Sequence, residues 1–166
     1  MNFSIVELEQ LSGDKTKIYS VVMQGDDITL FDKFIRDNLL TNRDEIRFIL
    51  NRLQEIGYTT GARDIYFKHN EGKPGDGVCA LYDEPGRELR LFCIRYGSLA
   101  IILGDGGPKV KGIAAWQEDK KLTLEASRMI EISKAILSRI KNRDLGWSSD
   151  GKQLIGNLIF SDNENE

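Results

Sequence analysis

Residues Arg87–Trp116 read RELRLFCIRYGSLAIILGDGGPKVKGIAAW, and this stretch decides the fold. In its first part, Leu89–Tyr96, residues assigned to one face alternate with residues assigned to the other. This pattern predicts a β-strand, since successive strand side chains point to opposite faces of a sheet. The two faces are expected to hold Leu89, Leu91, Cys93 and Tyr96 on one side and Arg90, Phe92 and Ile94 on the other. Residues 95–98 supply the turn that leads to the next strand.

The second strand of this stretch is uniformly apolar. Leu99–Leu103 has no polar side chain, which is typical of a central strand buried on both faces. The glycine-rich run Gly104–Pro108 predicts a tight turn in which glycine supplies positive φ angles, and which delivers Lys109 and Lys111. The run does not match a nucleotide-binding loop, because it lacks the GxxxxGK spacing and Pro108 has no amide proton to offer a phosphate.

The N-terminal third predicts a β-hairpin followed by a helical hairpin. Residues 3–9 and 16–23 have the pattern of two strands and are separated by a Ser-Gly-Asp turn. Thr29, with Asp32 three positions later, has the spacing of a capping box at the start of the first helix. The second helix is expected to run from about residue 41 to Gly57, a glycine of the kind that ends helices.

Short strands and one long helix complete the predicted fold. Strands are expected over residues 65–69, 78–82 and 153–160, and an exposed loop over Asn70–Gly77. A 3.6-residue apolar period predicts the long helix over Leu122–Lys141. The predicted class is therefore α+β: an N-terminal β-hairpin and a helical hairpin packed on a central antiparallel sheet, plus one long C-terminal helix.

Length and composition indicate a single domain over residues 1–166. Hydrophobic residues make up 40% and charged residues 30% of the chain, which is typical of globular proteins and excludes global disorder. No apolar run reaches the ~20 residues of a membrane helix, and the N-terminus lacks a secretion signal. Cys79 and Cys93 lack metal-ligand spacing, and Cys93 is expected to be a core thiol. We therefore expect a cytoplasmic protein without a metal or cofactor.

The net charge of −3 hides a basic segment. Residues 87–143 hold 12 Lys or Arg and 6 Asp or Glu, an excess of +6 in an otherwise acidic chain. Such a segment favours a polyanion or an acidic partner, although a solvated helix face next to basic strand ends has the same composition.

Four cations mark the ends of the two central strands: Arg90, Arg95, Lys109 and Lys111. When the strands pair, these side chains are expected to meet, hold a phosphodiester and stabilise the charge formed as a ribose 2′-hydroxyl attacks it. Tyr96 is the nearest side chain able to transfer a proton. His69, the only histidine, lacks the spacing of a catalytic triad or a zinc site and is expected at an exposed strand end.

The segment Leu89–Lys111, with the helix that follows it, resembles the RelE/HigB-like superfamily of type II toxin–antitoxin toxins, and within it the phage-derived HigB-like branch. Members share two N-terminal helices, an antiparallel sheet, a lysine-bearing segment and a final helix. Their strands are similar to Leu-Arg-Leu-Phe-x-Ile-Arg-x-Gly and Leu-x-Ile-Leu-Gly-x-Gly-Gly. The resemblance covers about residues 29–141, and the N-terminal hairpin and C-terminal extension lie outside it.

The resemblance implies an mRNA endoribonuclease that acts with the ribosome and cleaves by 2′-hydroxyl attack without metal. It also implies a tightly bound antitoxin, expected to be a helix-turn-helix protein. Arg90 and Arg95 match the family's strand arginines, and Lys109 and Lys111 match its post-strand lysines. The residues expected to act in catalysis are Arg95, Tyr96, Lys109 and Lys111, and those expected to bind RNA are Arg87, Arg90, Lys120 and Lys121.

Two alternatives to a nuclease stay open. The chain could be a catalytically silent relative that only binds an antitoxin-type partner on its sheet, or an α+β domain of unrelated function. Self-association into a homodimer is compatible with each of these hypotheses. No membrane partner is expected.

Overall fold

The computed structural model describes residues 1–69, 71–81, 86–109 and 115–162, and of residues 115–119 the backbone alone. This part of the chain contains nine strands and three α-helices. The strands are Phe3–Glu7 (β1), Lys17–Met23 (β2), Phe67–Lys68 (β3), Val78–Leu81 (β4), Leu89–Tyr96 (β5), Ala100–Pro108 (β6), Leu145–Trp147 (β7), Leu154–Gly156 (β8) and Ile159–Phe160 (β9). The helices are Leu30–Asn38 (α1), Arg43–Glu55 (α2) and Ala115–Lys141 (α3).

Seven strands form one mixed sheet in the order β3-β4-β5-β6-β2-β1-β9, and β7 pairs with β8 in a separate small sheet. All neighbours in the large sheet are antiparallel except β2 and β6, which run parallel with Lys17 opposite Ala100. The α+β class and the N-terminal hairpin are confirmed. The predicted antiparallel sheet is mostly confirmed, and it differs at one strand pair, where β2 of the N-terminal hairpin runs parallel to β6.

Helices cover both faces of the large sheet. α1, α2 and the residues after α2 pack on one face, where Phe34 and Leu53 are fully buried. α3 and the small sheet pack on the other, with Met129 and Ile136 in their core. Residues 100–103 of β6 are fully buried and contribute alternately to the two cores, which confirms for these residues the prediction of a central strand buried on both faces. Leu99, the first residue of the predicted strand, lies in the turn before β6 and is exposed.

The beginning of α1 is fixed by the predicted capping box. Thr29 Oγ1 accepts the amide of Asp32 at 3.0 Å, and the Asp32 carboxylate accepts the amide of Thr29 at 3.3 Å. These two bonds satisfy amides that a helix start leaves without an intrahelical acceptor.

The end of α2 differs from the prediction. A π-helical turn, Ile56–Thr60, continues the helix past Gly57, and Gly61 with φ of 79° ends it. Gly57 serves close packing instead, since a Cβ there would lie 2.0 Å from the carbonyl oxygen of Leu11. Ala62 follows directly after this turn, and its carbonyl oxygen contacts Arg95 near the end of β5.

The glycine-rich run is strand, not turn. β6 continues to Pro108. None of the glycines at positions 104, 106 and 107 has a positive φ angle. A Cβ on Gly106 would lie 1.8 Å from the Arg90 carbonyl oxygen, and one on Gly104 would lie 2.6 Å from Met129 Sδ. The prediction of a tight turn is therefore wrong, because these glycines let β5 and α3 approach the β6 backbone.

Three further boundaries differ from those predicted. α3 begins at Ala115 rather than Leu122. The strand expected over residues 65–69 is a 3₁₀ turn, Asp64–Tyr66, followed by the two-residue β3. The strand expected over residues 153–160 is divided between β8 and β9, which belong to different sheets. Within the described residues, none of the helices combines the length and apolarity needed to cross a membrane.

The buried carboxylate of Glu45, 7% exposed, joins α2 to the start of β5. Its oxygens accept the backbone amides of Glu88, at 2.8 Å, and of Leu89. We predict that Glu45→Ala lowers the free energy of unfolding by about 2–4 kcal/mol, because two amides lose a charged acceptor. Urea unfolding followed by circular dichroism measures this loss.

Asp44→Ala provides the control, since Asp44 is exposed on the same turn of α2. It should change the free energy of unfolding by less than about 1 kcal/mol. Equal losses in the two variants would contradict a specific role for the Glu45 carboxylate.

Candidate functional site

The strand arginines do not share a pocket. Arg90 and Arg95 are five residues apart on β5, which is roughly 17 Å along a strand, and an odd separation puts their side chains on opposite faces. Arg90 Nη1 lies 3.7 Å from Glu71 Oε1, on the face covered by α3. Arg95 contacts Ala62 and Phe67, on the face covered by α2. The predicted convergence of the two arginines is therefore wrong.

Tyr96 is half-buried and packs against the core that α3 and the small sheet cover. Its ring centroid is 5.0 Å from that of Trp147, and its hydroxyl is buried without a hydrogen-bond partner among the described residues. Tyr96 shares the face of Phe92 and Ile94 rather than that of Leu89, which corrects the predicted facing. Burial raises the pKa of the Tyr96 hydroxyl far above its ordinary value, so this group is poorly suited to proton transfer.

The other predicted cations lie at the opposite end of β5, near its first residue. The Lys109 amide donates to the Glu88 carbonyl, and the Arg87 guanidinium lies 5.0 Å from the centroid of the Phe48 ring. Lys120 is exposed on α3. Lys111 lies outside the described residues. We name this group, Arg87, Arg90, Lys109, Lys120 and Lys121, the basic end of the sheet.

Lys121 at the basic end has a buried acidic partner. Its Nζ lies 3.9 Å from Oδ2 of Asp105, a β6 residue that is 4% exposed. Glu125, one turn further along α3, is also buried and lies 3.4 Å from Arg128. Burial raises the pKa of both carboxyl groups, although the neighbouring Lys121 and Arg128 cations oppose this shift. The Lys121–Asp105 contact joins the first half of α3 to β6, whereas the Glu125–Arg128 contact lies within α3.

The end of β5 that carries Arg95 borders a cavity of ≈ 470 Å³. Three side chains that can carry positive charge line it: His69, Lys73 and Arg95. Its other walls are the glycine-rich loop of residues 72–77 and Val78. This volume lies within the range of small-molecule sites.

Asp64 connects two of the cavity residues. Its Oδ1 lies 2.9 Å from His69 Nε2 and 3.6 Å from Arg95 Nη1. Arg95 Nε donates to the Ala62 carbonyl at 3.0 Å, and its guanidinium lies 5.5 Å from the Phe67 ring centroid. Arg95 is thus held in one orientation beside an imidazole–carboxylate pair.

The loop wall of the cavity is fixed on both sides. The Asp76 carboxylate accepts the amides of Lys73, at 2.7 Å, and Val78, at 2.9 Å. The buried Ser133 hydroxyl of α3 donates to the Asp76 carbonyl at 2.6 Å. The Arg90–Glu71 ion pair holds the start of the same loop. Arg90, predicted to bind RNA, therefore supports the loop that presents Lys73.

Sequence reasoning missed His69, Asp64 and Lys73 because they come from three separate segments. The register of β4 on β5, with the Arg95 amide donating to the Gly77 carbonyl at 2.9 Å, brings the loop beside Arg95. No local spacing encodes that meeting. The one available signal was a single histidine placed directly before a glycine-rich loop that contains a lysine.

The chemistry of this site is that of an anion-binding pocket with a proton-transfer group. Arginine and lysine supply hydrogen-bond donors and positive charge, and imidazole exchanges protons near neutral pH. Across the described ranges, no group of three or more His, Cys, Asp or Glu side chains is placed to hold a metal ion.

We predict that Tyr96→Phe raises the free energy of unfolding by about 1–3 kcal/mol, because it removes a buried hydroxyl that lacks a partner. The matched control is Tyr19→Phe. The Tyr19 hydroxyl accepts the Leu154 amide at 3.1 Å, so its removal should destabilise the fold by about 1 kcal/mol. Thermal unfolding of both variants tests this, and a loss of stability in Tyr96→Phe would contradict it.

We predict that Asp105→Asn is more stable than the wild type at pH 7–8 and that the difference narrows towards pH 4. The folded wild type holds the Asp105 proton more tightly than the unfolded chain, so its stability falls as pH rises. Urea unfolding at several pH values measures the difference. Asp27→Asn, at an exposed carboxylate, should leave the pH dependence unchanged, and a constant Asp105→Asn difference would contradict the prediction.

Comparison of the chain with protein-family models, with curated proteins and with solved structures finds no match in any of the three. Arg95, Lys73 and His69 line one open pocket, with Asp64 between the arginine and the histidine.

Proposed function

We propose that the chain is a RelE/HigB-like toxin of a type II toxin–antitoxin system, an mRNA endoribonuclease that cleaves by 2′-hydroxyl attack without metal. Its active site is the cavity at the end of β5. The observation that carries the proposal is the convergence of Arg95, Lys73 and His69 on that cavity. The order of elements supports it, since two helices, antiparallel strands and a final helix follow one another as the resemblance implies.

Arg95 and Lys73 suit a phosphodiester whose negative charge grows during attack. Arg95 is already oriented by Ala62 and Asp64, so its remaining N–H donors need little reorganisation to meet the phosphate. Lys73 is exposed on a loop whose backbone is tied by Asp76. An arginine and a lysine that line the same open pocket can together bind one phosphate.

The basic end of the sheet would contact RNA away from the bond that is cleaved. It lies at the other end of β5 from Arg95, so the two regions can touch different phosphates of one strand. Cations at two separate places are suited to contacts with several phosphates of an mRNA held on a cytoplasmic ribosome. Under this proposal, Arg87, Lys109, Lys120 and Lys121 affect RNA affinity more than the cleavage step.

A catalytically silent binding module is the second candidate, and a specific observation favours it. Arg95 has structural contacts with Ala62, Asp64 and Phe67, and Tyr96 is buried. A protein that only binds a helix-turn-helix antitoxin needs neither residue at its surface. The two candidates differ in whether purified protein cleaves RNA.

We predict that the purified protein cleaves single-stranded RNA, either alone in the presence of EDTA or with ribosomes in a buffer that contains Mg²⁺, and leaves 2′,3′-cyclic phosphate ends. Lys73→Ala and Arg95→Lys should each lower the cleavage rate about 10²-fold, because each removes a donor to the developing charge. Gel analysis of an end-labelled RNA measures the rates.

The control for charge is Lys141→Ala, at an exposed lysine near the end of α3, which should cleave at the wild-type rate. In cells, expression of the wild-type protein without an antitoxin should arrest growth. Absence of cleavage by the wild type under all these conditions, together with normal growth, would reject the nuclease and favour the binding module.

A further inference from the structure

We propose that His69 is the general base of the reaction and that Asp64 is its positioning residue. This inference rests on the proposed function, and it names the proton-transfer group that neither Tyr96 nor the lysines supply. Its structural basis is the contact of Asp64 Oδ1 with His69 Nε2, at 2.9 Å, on the wall of the cavity that contains Arg95.

The Asp64 carboxylate, 2.9 Å from Nε2, favours the imidazole tautomer that has its proton on that nitrogen. A neutral histidine protonated on Nε2 keeps its lone pair on Nδ1, which is then the basic atom. Among the described residues, Nδ1 has no hydrogen-bond partner, and the side chain is 46% exposed. The base is therefore accessible to a ribose hydroxyl without any rearrangement of the fold.

The reaction balances without a co-reactant. The 2′-oxygen forms a bond to phosphorus while His69 Nδ1 takes the 2′-hydroxyl proton, and the bond from phosphorus to the 5′-oxygen breaks. The leaving 5′-oxygen takes a proton from water in the open cavity, and the imidazolium returns its proton to the resulting hydroxide. The products are a 2′,3′-cyclic phosphate and a 5′-hydroxyl, with Arg95 and Lys73 compensating the charge on the phosphate oxygens.

Other titratable groups near the cavity are less suited to this role. The Asp76 carboxylate accepts two loop amides, and Asp64 is engaged by His69 and Arg95. Asp105 on β6 and Glu125 on α3 are both buried. The charged groups that surround His69 are Asp64 before β3, Lys68 on β3, Glu71, Lys73 and Asp76 in the loop, and Arg95 on β5.

The mechanism specifies the substrate, because attack requires a free 2′-hydroxyl next to the scissile phosphate. A DNA oligonucleotide that contains one ribonucleotide should be cut only after that nucleotide. The same oligonucleotide with a 2′-O-methyl group there should bind but resist cleavage. This pair of probes separates binding in the cavity from chemistry.

The decisive experiment measures cleavage of the single-ribonucleotide probe by wild type, His69→Gln and Asp64→Asn between pH 5 and 8. His69→Gln should lower kcat 10²- to 10⁴-fold with little change in KM, and should lose the acidic limb of the pH–rate profile. Asp64→Asn should lower kcat and move that limb, an effect that a purely structural role would not produce. Circular dichroism checks that each variant is folded.

Chemical rescue gives a second readout that folding cannot imitate. In His69→Gly, added imidazole should restore part of the rate by occupying the space of the missing ring. This inference would be overturned if the wild type cleaves, His69→Gln cleaves at the same rate with the same pH profile, and imidazole does not rescue His69→Gly. The proposed function would stand in that case. Absence of wild-type cleavage both of this probe and of RNA in the presence of ribosomes would overturn both.

Discussion

The pairing of β4 with β5 is the constraint on which the rest of the site depends. Cys79 lies opposite Cys93 in this pair, with their Sγ atoms 3.5 Å apart and both side chains buried. The same register puts Gly77 opposite Arg95. Because the loop of residues 71–77 enters β4 at that point, a shift of one residue would turn Arg95 away from the loop and separate the cavity residues.

The two ends of β5 have different roles, which follows from alternation along a single strand. At its first residues, Glu45 anchors the backbone and Arg90 pairs with Glu71 to support the loop. At its last residues, Arg95 reaches the face opposite to that of Tyr96, so Arg95 borders the cavity while the Tyr96 ring packs against the core. At this end of β5, one face of the strand thus presents a charged side chain to the cavity, and the other face contributes an aromatic ring to the packing of the core.

The parts of the fold that depend on local chemistry were predictable from the sequence. The capping box at Thr29 and the apolar run before Gly104 depend on near neighbours, and both predictions are confirmed. The prediction of a turn at the glycines after Leu103 is wrong because glycine is suited both to turns and to close backbone contacts. The close contact here is with Arg90 on another strand, and the local sequence does not show it. His69 and Lys73 were missed for the same reason, since only the register of β4 on β5 brings them to Arg95.

The π-helical turn after α2 has a consequence for how the chain tolerates changes in length. A π turn holds one more residue than an α turn, and each helical residue rotates the chain by about 100°. The carbonyl of Ala62, which orients Arg95, leaves the helix at an angle set by that additional residue. Insertions and deletions between Ile56 and Thr60 should therefore disturb the orientation of Arg95 more than side-chain substitutions there. The position of the Ala62 carbonyl oxygen depends on the number of residues in the turn and not on their side chains.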